Sequence, residues 1–358
     1  MRLRVIDFGE VPAVRSLAGC YGVLDLMTEG DAPALVLASA SEPYMCIGCH
    51  QDAGREIDEP YCRAQGIAIL RRRLGGGAIY IDSRQMIFHF LFPATRMPKQ
   101  PARLQALFAE PVVLTYRDFG LPALYRAPGD IAVDGRKIGG IAAALDEHAA
   151  IVGGTFLFDI DTAVMARCLK VPSEDFRTAL AASLADGITS LAKLLPRAPT
   201  RAALKERFLA NAGACLGVEP WETTASAAEQ AAGAAAAAVL GSDAWSTRCG
   251  RKFVARGTKI AAGKHLTERS FATPAGAVRV RLGERDGCIA SLAIDGDGAA
   301  AAGSWLARLS EGLLGAHLDE SALSAAAARV MATHQWQLQA MSPGALAIAI
   351  LATCHRDI

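Results

Sequence analysis

Met86, Phe88, Phe90 and Phe92 alternate with Ile87, His89 and Leu91. Any strand built from this run carries bulk on both faces and needs cover on both. The flanking sequence offers that cover. From Pro12 to Glu29, Val14, Leu17, Tyr21, Leu24 and Met27 recur at helical spacing, and Gly30 follows as a stop signal. Ala102–Asp118 reads as a second helix, and Asp58 opens a short one that ends at Gly66. Further strands are expected at Ala34–Ala38, Tyr44–Gly48, Ile67–Leu70, Ala78–Ile81, Ile131–Val133, Lys137–Ala143 and Ala150–Asp159. Asp161 to about Gly241 is mostly helical. Strands bunched beside bunched helices, without strict alternation, predict an α+β fold.

At 358 residues the chain has room for two domains. Composition shifts at Ala225–Ala238, an almost pure alanine stretch that favours a helix. Beyond Trp245, Phe271–Leu282 and Cys288–Ile294 read as adjacent antiparallel strands, followed by helices near Ala300–Leu314 and Glu320–Thr333. The expected division is 1–241 and a smaller α+β domain at 242–358. Lys+Arg 37 against Asp+Glu 36 gives a formal charge of +1, so no whole-chain field draws the protein to nucleic acid or an anionic membrane. The 52% hydrophobic and 20% charged content excludes disorder. Ala345–Cys354, the nearest approach to a spanning segment, is far too short. Asp7 and Glu10 stand where a signal peptide needs apolar residues, so a cytoplasmic location is expected. The nine cysteines are read as reduced thiols. Cys46-Ile-Gly-Cys49-His50 spells a haem-attachment string, but it closes an apolar strand and is read as small strand residues.

Two motifs carry chemistry. In Arg71-Arg72-Arg73-Leu74-Gly75-Gly76-Gly77-Ala78-Ile79-Tyr80-Ile81-Asp82, a glycine run leaves a strand, so backbone N–H groups can approach a ligand with no Cβ in the way. Arginines at its base present rigid donor forks for phosphate or carboxylate. No Gly-Lys-Ser/Thr follows, so this is not a Walker A loop. In Gly129-Asp130-Ile131-Ala132-Val133-Asp134-Gly135-Arg136-Lys137-Ile138-Gly139-Gly140, Asp134-Gly135 marks a tight hairpin. That turn aims Lys137 from the start of a strand, where it can face developing negative charge.

In this order the two motifs, followed by Gly154-Thr155-Phe156-Leu157, resemble the lipoate–protein ligase family, which shares its fold with biotin ligases and lipoyl/octanoyl transferases. Ile47-Gly48-Cys49-His50-Gln51 resembles that family's strand-end Gly-x-x-Gln. Trp245 and Glu268-Arg269-Ser-Phe271 resemble the start of its accessory domain. The resemblance implies a mixed sheet packed with helices, with the catalytic domain at 1–241 and the accessory domain at 242–358. It implies an ATP-dependent reaction with Mg²⁺. Lipoate or octanoate is activated as an acyl adenylate and then joined to a lysine of a small lipoyl-domain acceptor protein. Lys137 would be catalytic, and Asp130 would orient it or help to hold Mg²⁺. Arg72 would hold phosphate oxygens. Gly75, Gly76, Gly77 and Ala78 would line the acyl adenylate, and Gly154 and Thr155 would flank the nucleotide. Ile47, Leu74 and Ile138 are expected to line an acyl tunnel.

The chain departs from the family pattern at several points. Leu74 replaces a Ser, Ile81 and Gly153 each replace a His, Gly129 replaces an Asn, and Gly139 and Ile141 replace Ser residues. These changes are expected to remove polar groups around the pocket. An ATP-independent transferase of the same fold needs a cysteine to carry the acyl group. The two stretches where such a cysteine would stand, Leu121–Asp130 and His148–Gly154, contain none. Cys62 and Cys168 are the closest in sequence. A non-catalytic acyl-adenylate-binding protein is the remaining alternative.

Overall fold

The computed structural model describes residues 1–145, 148–248, 250, 257–273, 276–296, 303–333 and 342–354. The chain begins with β1 (Arg2–Val11), α1 (Ala13–Leu24), β2 (Ala34–Ala40) and β3 (Tyr44–Ile47). Next come two short helices, α2 (Ala53–Glu56) and α3 (Glu59–Ala64), then β4 (Ala68–Arg71), β5 (Ile79–Ile81) and β6 (Gln85–Pro93). The helix α4 (Pro101–Asp118) leads to β7 (Leu124–Arg126), β8 (Asp130–Val133), β9 (Arg136–Leu145) and β10 (Ala149–Leu157). Helices α5 (Thr162–Cys168), α6 (Glu174–Gly187), α7 (Leu191–Leu194) and α8 (Arg201–Leu216) precede β11 (Glu219–Thr223), α9 (Ala227–Leu240) and α10 (Asp243–Ser246). The remainder is β12 (Gly257–Ala261), β13 (Lys264–Thr273), β14 (Gly276–Arg285), β15 (Cys288–Gly296), α11 (Gly303–Gly312), α12 (Glu320–Thr333) and α13 (Pro343–Thr353).

The bulky run at Met86–Phe92 forms β6, which lies inside an eight-stranded sheet of order β11-β1-β2-β6-β10-β9-β8-β7. β11, β1 and β2 run parallel, and every later pairing is antiparallel. Both faces of β6 are buried, as its side-chain alternation demands. Met86, Phe88, Phe90 and Phe92 pack with Leu104, Phe108 and Val112 of α4 and Leu204 and Phe208 of α8. Phe156 and Phe208 lie 4.9 Å apart in an edge-on contact at the centre of that layer. Ile87 and Leu91 point the other way, into a second cluster with Leu17 and Tyr21 of α1, Ala236 and Leu240 of α9, and Leu74. The alanine-rich segment is therefore a helix, and its small side chains serve close packing. A Cβ on Gly22 of α1 would stand 2.3 Å from the Glu229 carbonyl oxygen of α9. A three-stranded sheet, β4-β3-β5, carries the glycine-rich loop.

The chain divides into two compact units: Met1–Val171 with Leu184–Phe253, and Pro172–Ser183 with Val254–Ile358. Ser242–Arg248, which the sequence reading assigns to the C-terminal domain, packs in the first unit because Arg71 anchors it. The buried Arg71 guanidinium donates to the carbonyl oxygens of Trp245 and Ser246 at 3.1 Å, and the Trp245 indole N–H returns a bond to the Arg71 carbonyl at 2.9 Å.

In the second unit, β12-β13-β14-β15 form an antiparallel sheet. Phe271–Leu282 is not one strand. Its first residues end β13 and its last belong to β14, which pairs back on β13 from Thr273↔Gly276. The intervening Pro274-Ala275 lies outside the described residues, as do residues 300–302 of the expected helix Ala300–Leu314. Strands β1 and β11, at one edge of the large sheet, carry no clear sequence signal and were not expected. No helix among the described residues is long and apolar enough to cross a membrane.

Candidate active site

The hairpin of β8 and β9 turns at Asp134-Gly135, both with positive φ (48° and 71°), the conformation a two-residue loop of this kind requires. A register shift between Ile131 and Ala132 follows, leaving Lys137 opposite Ala132. From there the Lys137 ammonium reaches back to Asp130 Oδ1 at 2.7 Å, with the lysine side chain 24% exposed and the aspartate 8%. The Lys137 backbone is braced from outside the hairpin, its carbonyl accepting the Thr189 N–H at 2.8 Å. Gly140 is bare beside the amine: a Cβ there would lie 3.3 Å from Lys137 Nζ.

Strand register places the remaining candidates. Asp130, Gly140, Thr155 and Ile87 stand opposite one another across β8, β9, β10 and β6, so they share one face of the sheet. Two residues along, Ala142, Gly153 and His89 form the next row on that face. Thr155, Gly140 and Ala142 are only partly buried, so the face is open there. Gly154 points to the opposite face. A Cβ on it would meet Gly140 O at 2.4 Å and Phe88 Cζ at 2.5 Å, which makes it a packing position between strands and helical core.

The three arginines have different tasks. Arg71 is 1% exposed and ties Gly48–Gln51 to Trp245–Arg248 through backbone carbonyls. Arg73 leaves the loop to pair with Asp25 and lie over the Tyr21 ring at 4.5 Å. Arg72 shapes the glycine loop: it donates to Gly75 O at 3.1 and 2.8 Å, to Gly77 O at 2.8 Å and to Cys46 O at 3.0 Å. With these bonds made, its guanidinium is engaged by backbone rather than turned outward to a phosphate. Gly75 and Ala78 are partly exposed, and Gly76 and Gly77 are exposed. Gly76 has φ +96°, and a Cβ on it would press on Arg72 Nη2 at 2.9 Å. Arg72→Lys keeps the charge but not the fork. It is expected to raise amide hydrogen exchange across 73–78 by about tenfold, the equivalent of one lost charge-assisted bond. Unchanged exchange would contradict the loop-shaping role.

Not all departures from the family pattern lie around the pocket. Gly139 and Ile141 face the helical layer: a Cβ on Gly139 would stand 3.5 Å from the Tyr116 hydroxyl, and Ile141 packs in the phenylalanine cluster. Ile138 also belongs to that layer, so it does not share a lining with Leu74. At Gly129 (φ +140°) a Cβ would lie 2.3 Å from Ile141 O, so an asparagine does not fit this backbone. Leu74 and Gly153 do lie together on the site face. The sequence reading missed Thr189, which braces Lys137 from more than 50 positions away with no local motif to mark it. It also read His89 only as a strand residue.

Among the described residues no three His, Cys, Asp or Glu side chains converge as a metal site. Asp130 offers a single carboxylate. That suits a Mg²⁺ ion that draws most of its ligands from nucleotide phosphates, and not one held by a protein cage.

The lipoyl protein ligase A/B catalytic domain model matches residues 21–213, and the chain belongs to that family. The lipoate-protein ligase LplJ of Bacillus subtilis is 29% identical over 160 residues, 45% of this chain and 47% of LplJ, so the match spans about half of that relative. The octanoyltransferase LipM of Geobacillus kaustophilus is 25% identical over 251 residues, 62% of this chain and 90% of LipM. Among solved structures, a bipartite lipoate protein ligase from Thermoplasma acidophilum, studied with its E2 lipoyl domain, aligns with TM-score 0.64 at 24% identity, covering 71% of this chain and 98% of its own. A lipoate-protein ligase A bound with ATP aligns with TM-score 0.61 at 22% identity, covering 69% and 99%. The α+β fold is that of the lipoate–protein ligases.

Proposed function

We propose that the chain is an ATP-dependent lipoate–protein ligase that works through an acyl adenylate and joins lipoate or octanoate to a lysine of a lipoyl-domain protein. The observation that carries this reading is the Lys137–Asp130 pair at 2.7 Å, beside a bare Gly140 and in one row with Thr155. A carboxylate is a poor electrophile. Its attack on the α-phosphorus of ATP, with departure of pyrophosphate, concentrates negative charge that a fixed ammonium stabilises. The acceptor lysine then attacks the acyl carbon, AMP departs with the bonding pair, and the same ammonium faces the charge on the acyl oxygen. Asp130 orients Lys137 and would be the carboxylate that helps to hold Mg²⁺, which would supply positive charge against the phosphates. Gly75, Gly76, Gly77 and Ala78 offer backbone to the adenylate, with Arg72 holding that loop. In this reading the unit Met1–Val171 with Leu184–Phe253 is the catalytic domain and the unit Pro172–Ser183 with Val254–Ile358 the accessory domain.

The relation to an octanoyltransferase over most of its length favours a thioester route as second reading. Cys46, Cys62 and Cys168 suit it poorly, being almost wholly buried. Burial pushes the Cys46 thiol up, and Cys62 shares a hydrogen bond with Cys168. Cys49 is partly exposed, and its N–H donates to Leu74 O at 3.0 Å, next to the glycine loop. The two readings separate when a lipoyl-domain acceptor is supplied either with ATP and free lipoate or with an octanoyl thioester alone. Intact mass should show acylated acceptor with the first mixture. Acylation only with the second, together with an acyl thioester on this chain, would overturn the ligase reading.

A further inference from the structure

His89 is 5% exposed, and its imidazole ring makes no hydrogen bond with any described residue. Burial alone pushes its imidazole down to about 4, so at neutral pH it is uncharged and carries one N–H. The ring points into the site face, so its N–H is available to whatever occupies that face. The ring leans across to β10 and fills the space above Gly153: a Cβ on Gly153 would stand 2.5 Å from His89 Cδ2 and 2.9 Å from Nε2, with Leu74 Cδ1 at 3.0 Å. Lys137 Nζ occupies the corresponding space above Gly140. Because Gly153 pairs with Ala142 and Thr155 with Gly140, Gly153 and Gly140 are diagonal neighbours on one face, about 7–8 Å apart. Ala142, partly exposed, lies beside that diagonal and offers an apolar floor.

Resting on the ligase reading, we propose that His89 is a specificity-determining residue that meets the far end of the acyl chain and favours a chain ending in sulfur over a plain alkyl chain. With the carboxyl group at Lys137, about 7–8 Å is the reach of roughly five or six methylenes. That brings the dithiolane of lipoate, not its hydrocarbon stem, to the imidazole. The His89 N–H gains a polarisable sulfur acceptor from lipoate. From octanoate it gains only methylene and methyl groups. A bond to sulfur is weak, so the expected preference is modest, about three- to tenfold.

Calorimetric binding of lipoate and octanoate, without ATP, to the full chain and to its His89→Phe and His89→Gln variants tests this, with thermal melting to verify folding. The wild type should bind lipoate about three- to tenfold more tightly. His89→Phe should bring that ratio near one by weakening lipoate, and His89→Gln, which keeps an N–H donor, should restore part of it. An equal lipoate-to-octanoate ratio in wild type and His89→Phe, or no binding of either acid by the wild type, would overturn the proposal. The ligase reading fails on a separate readout: absence of ATP-dependent acylation leaves the binding ratio, and hence this assignment, standing or falling alone.

Discussion

Replacing Lys137 by alanine is expected to lower the rate of acyl activation by about 100- to 1,000-fold, the usual cost of removing one preorganised group that faces transition-state charge. The same loss is expected in transfer from preformed acyl adenylate, because one ammonium serves both steps. Folding should survive. The side chain is 24% exposed and adds nothing to the β8–β9 ladder, while the backbone keeps its bond from Thr189. Lys137→Arg should not rescue the rate, since a planar fork needs more room than the space beside Gly140 and Asp130 provides. Single-turnover rates for each step, with thermal melting on the same samples, check this. Near-normal activity in a folded Lys137→Ala protein would remove the central residue of the account.

The second large effect concerns Gly154. Gly154→Val would place a Cβ within 2.4 Å of the Gly140 carbonyl oxygen and 2.5 Å of the Phe88 ring. Neither neighbour yields easily: one is backbone of the adjacent strand, and Phe88 is wedged against Phe90, Phe156 and Phe208. Overpacking of this kind costs about 1–3 kcal/mol and sometimes more. In a domain of this size that lowers the melting temperature by roughly 2–4 °C per kcal/mol. Activity should fall further than stability, because the displaced strand carries Gly140 beside the Lys137 amine. A melting temperature unchanged by Gly154→Val would contradict the packing described here.

Both residues come from motifs legible in the sequence, but to different depths. Asp134-Gly135 forces a hairpin through local backbone geometry, so Lys137 and Asp130 could be paired from a dozen residues of sequence. The alternation at Met86–Phe92 demanded a doubly covered strand and received one. Gly154 was legible as part of a motif but not as a packing position, because its face depends on register with Phe88 and Ile141. Arg72 illustrates the same limit: its type suggested phosphate, while its partners, the carbonyls of Cys46, Gly75 and Gly77, depend on how the loop closes. His89 was hidden inside the very run that announced the strand, since a histidine among phenylalanines gives no sign of which face it joins. β1 and β11 were missed because their mixed-polarity segments are held by parallel pairing, β1 to β11 more than 200 positions away. At Phe271–Leu282 a continuous β-like composition concealed a reversal of the chain.

The most direct test is lipoate-dependent exchange of labelled pyrophosphate into ATP, with Mg²⁺ present and no acceptor protein. An adenylating enzyme forms and reverses its acyl adenylate in that mixture, so label should enter ATP only when lipoate is added, and Lys137→Ala should abolish it. No exchange by the folded wild-type protein, alongside acyl transfer from a carrier thioester, would contradict the account.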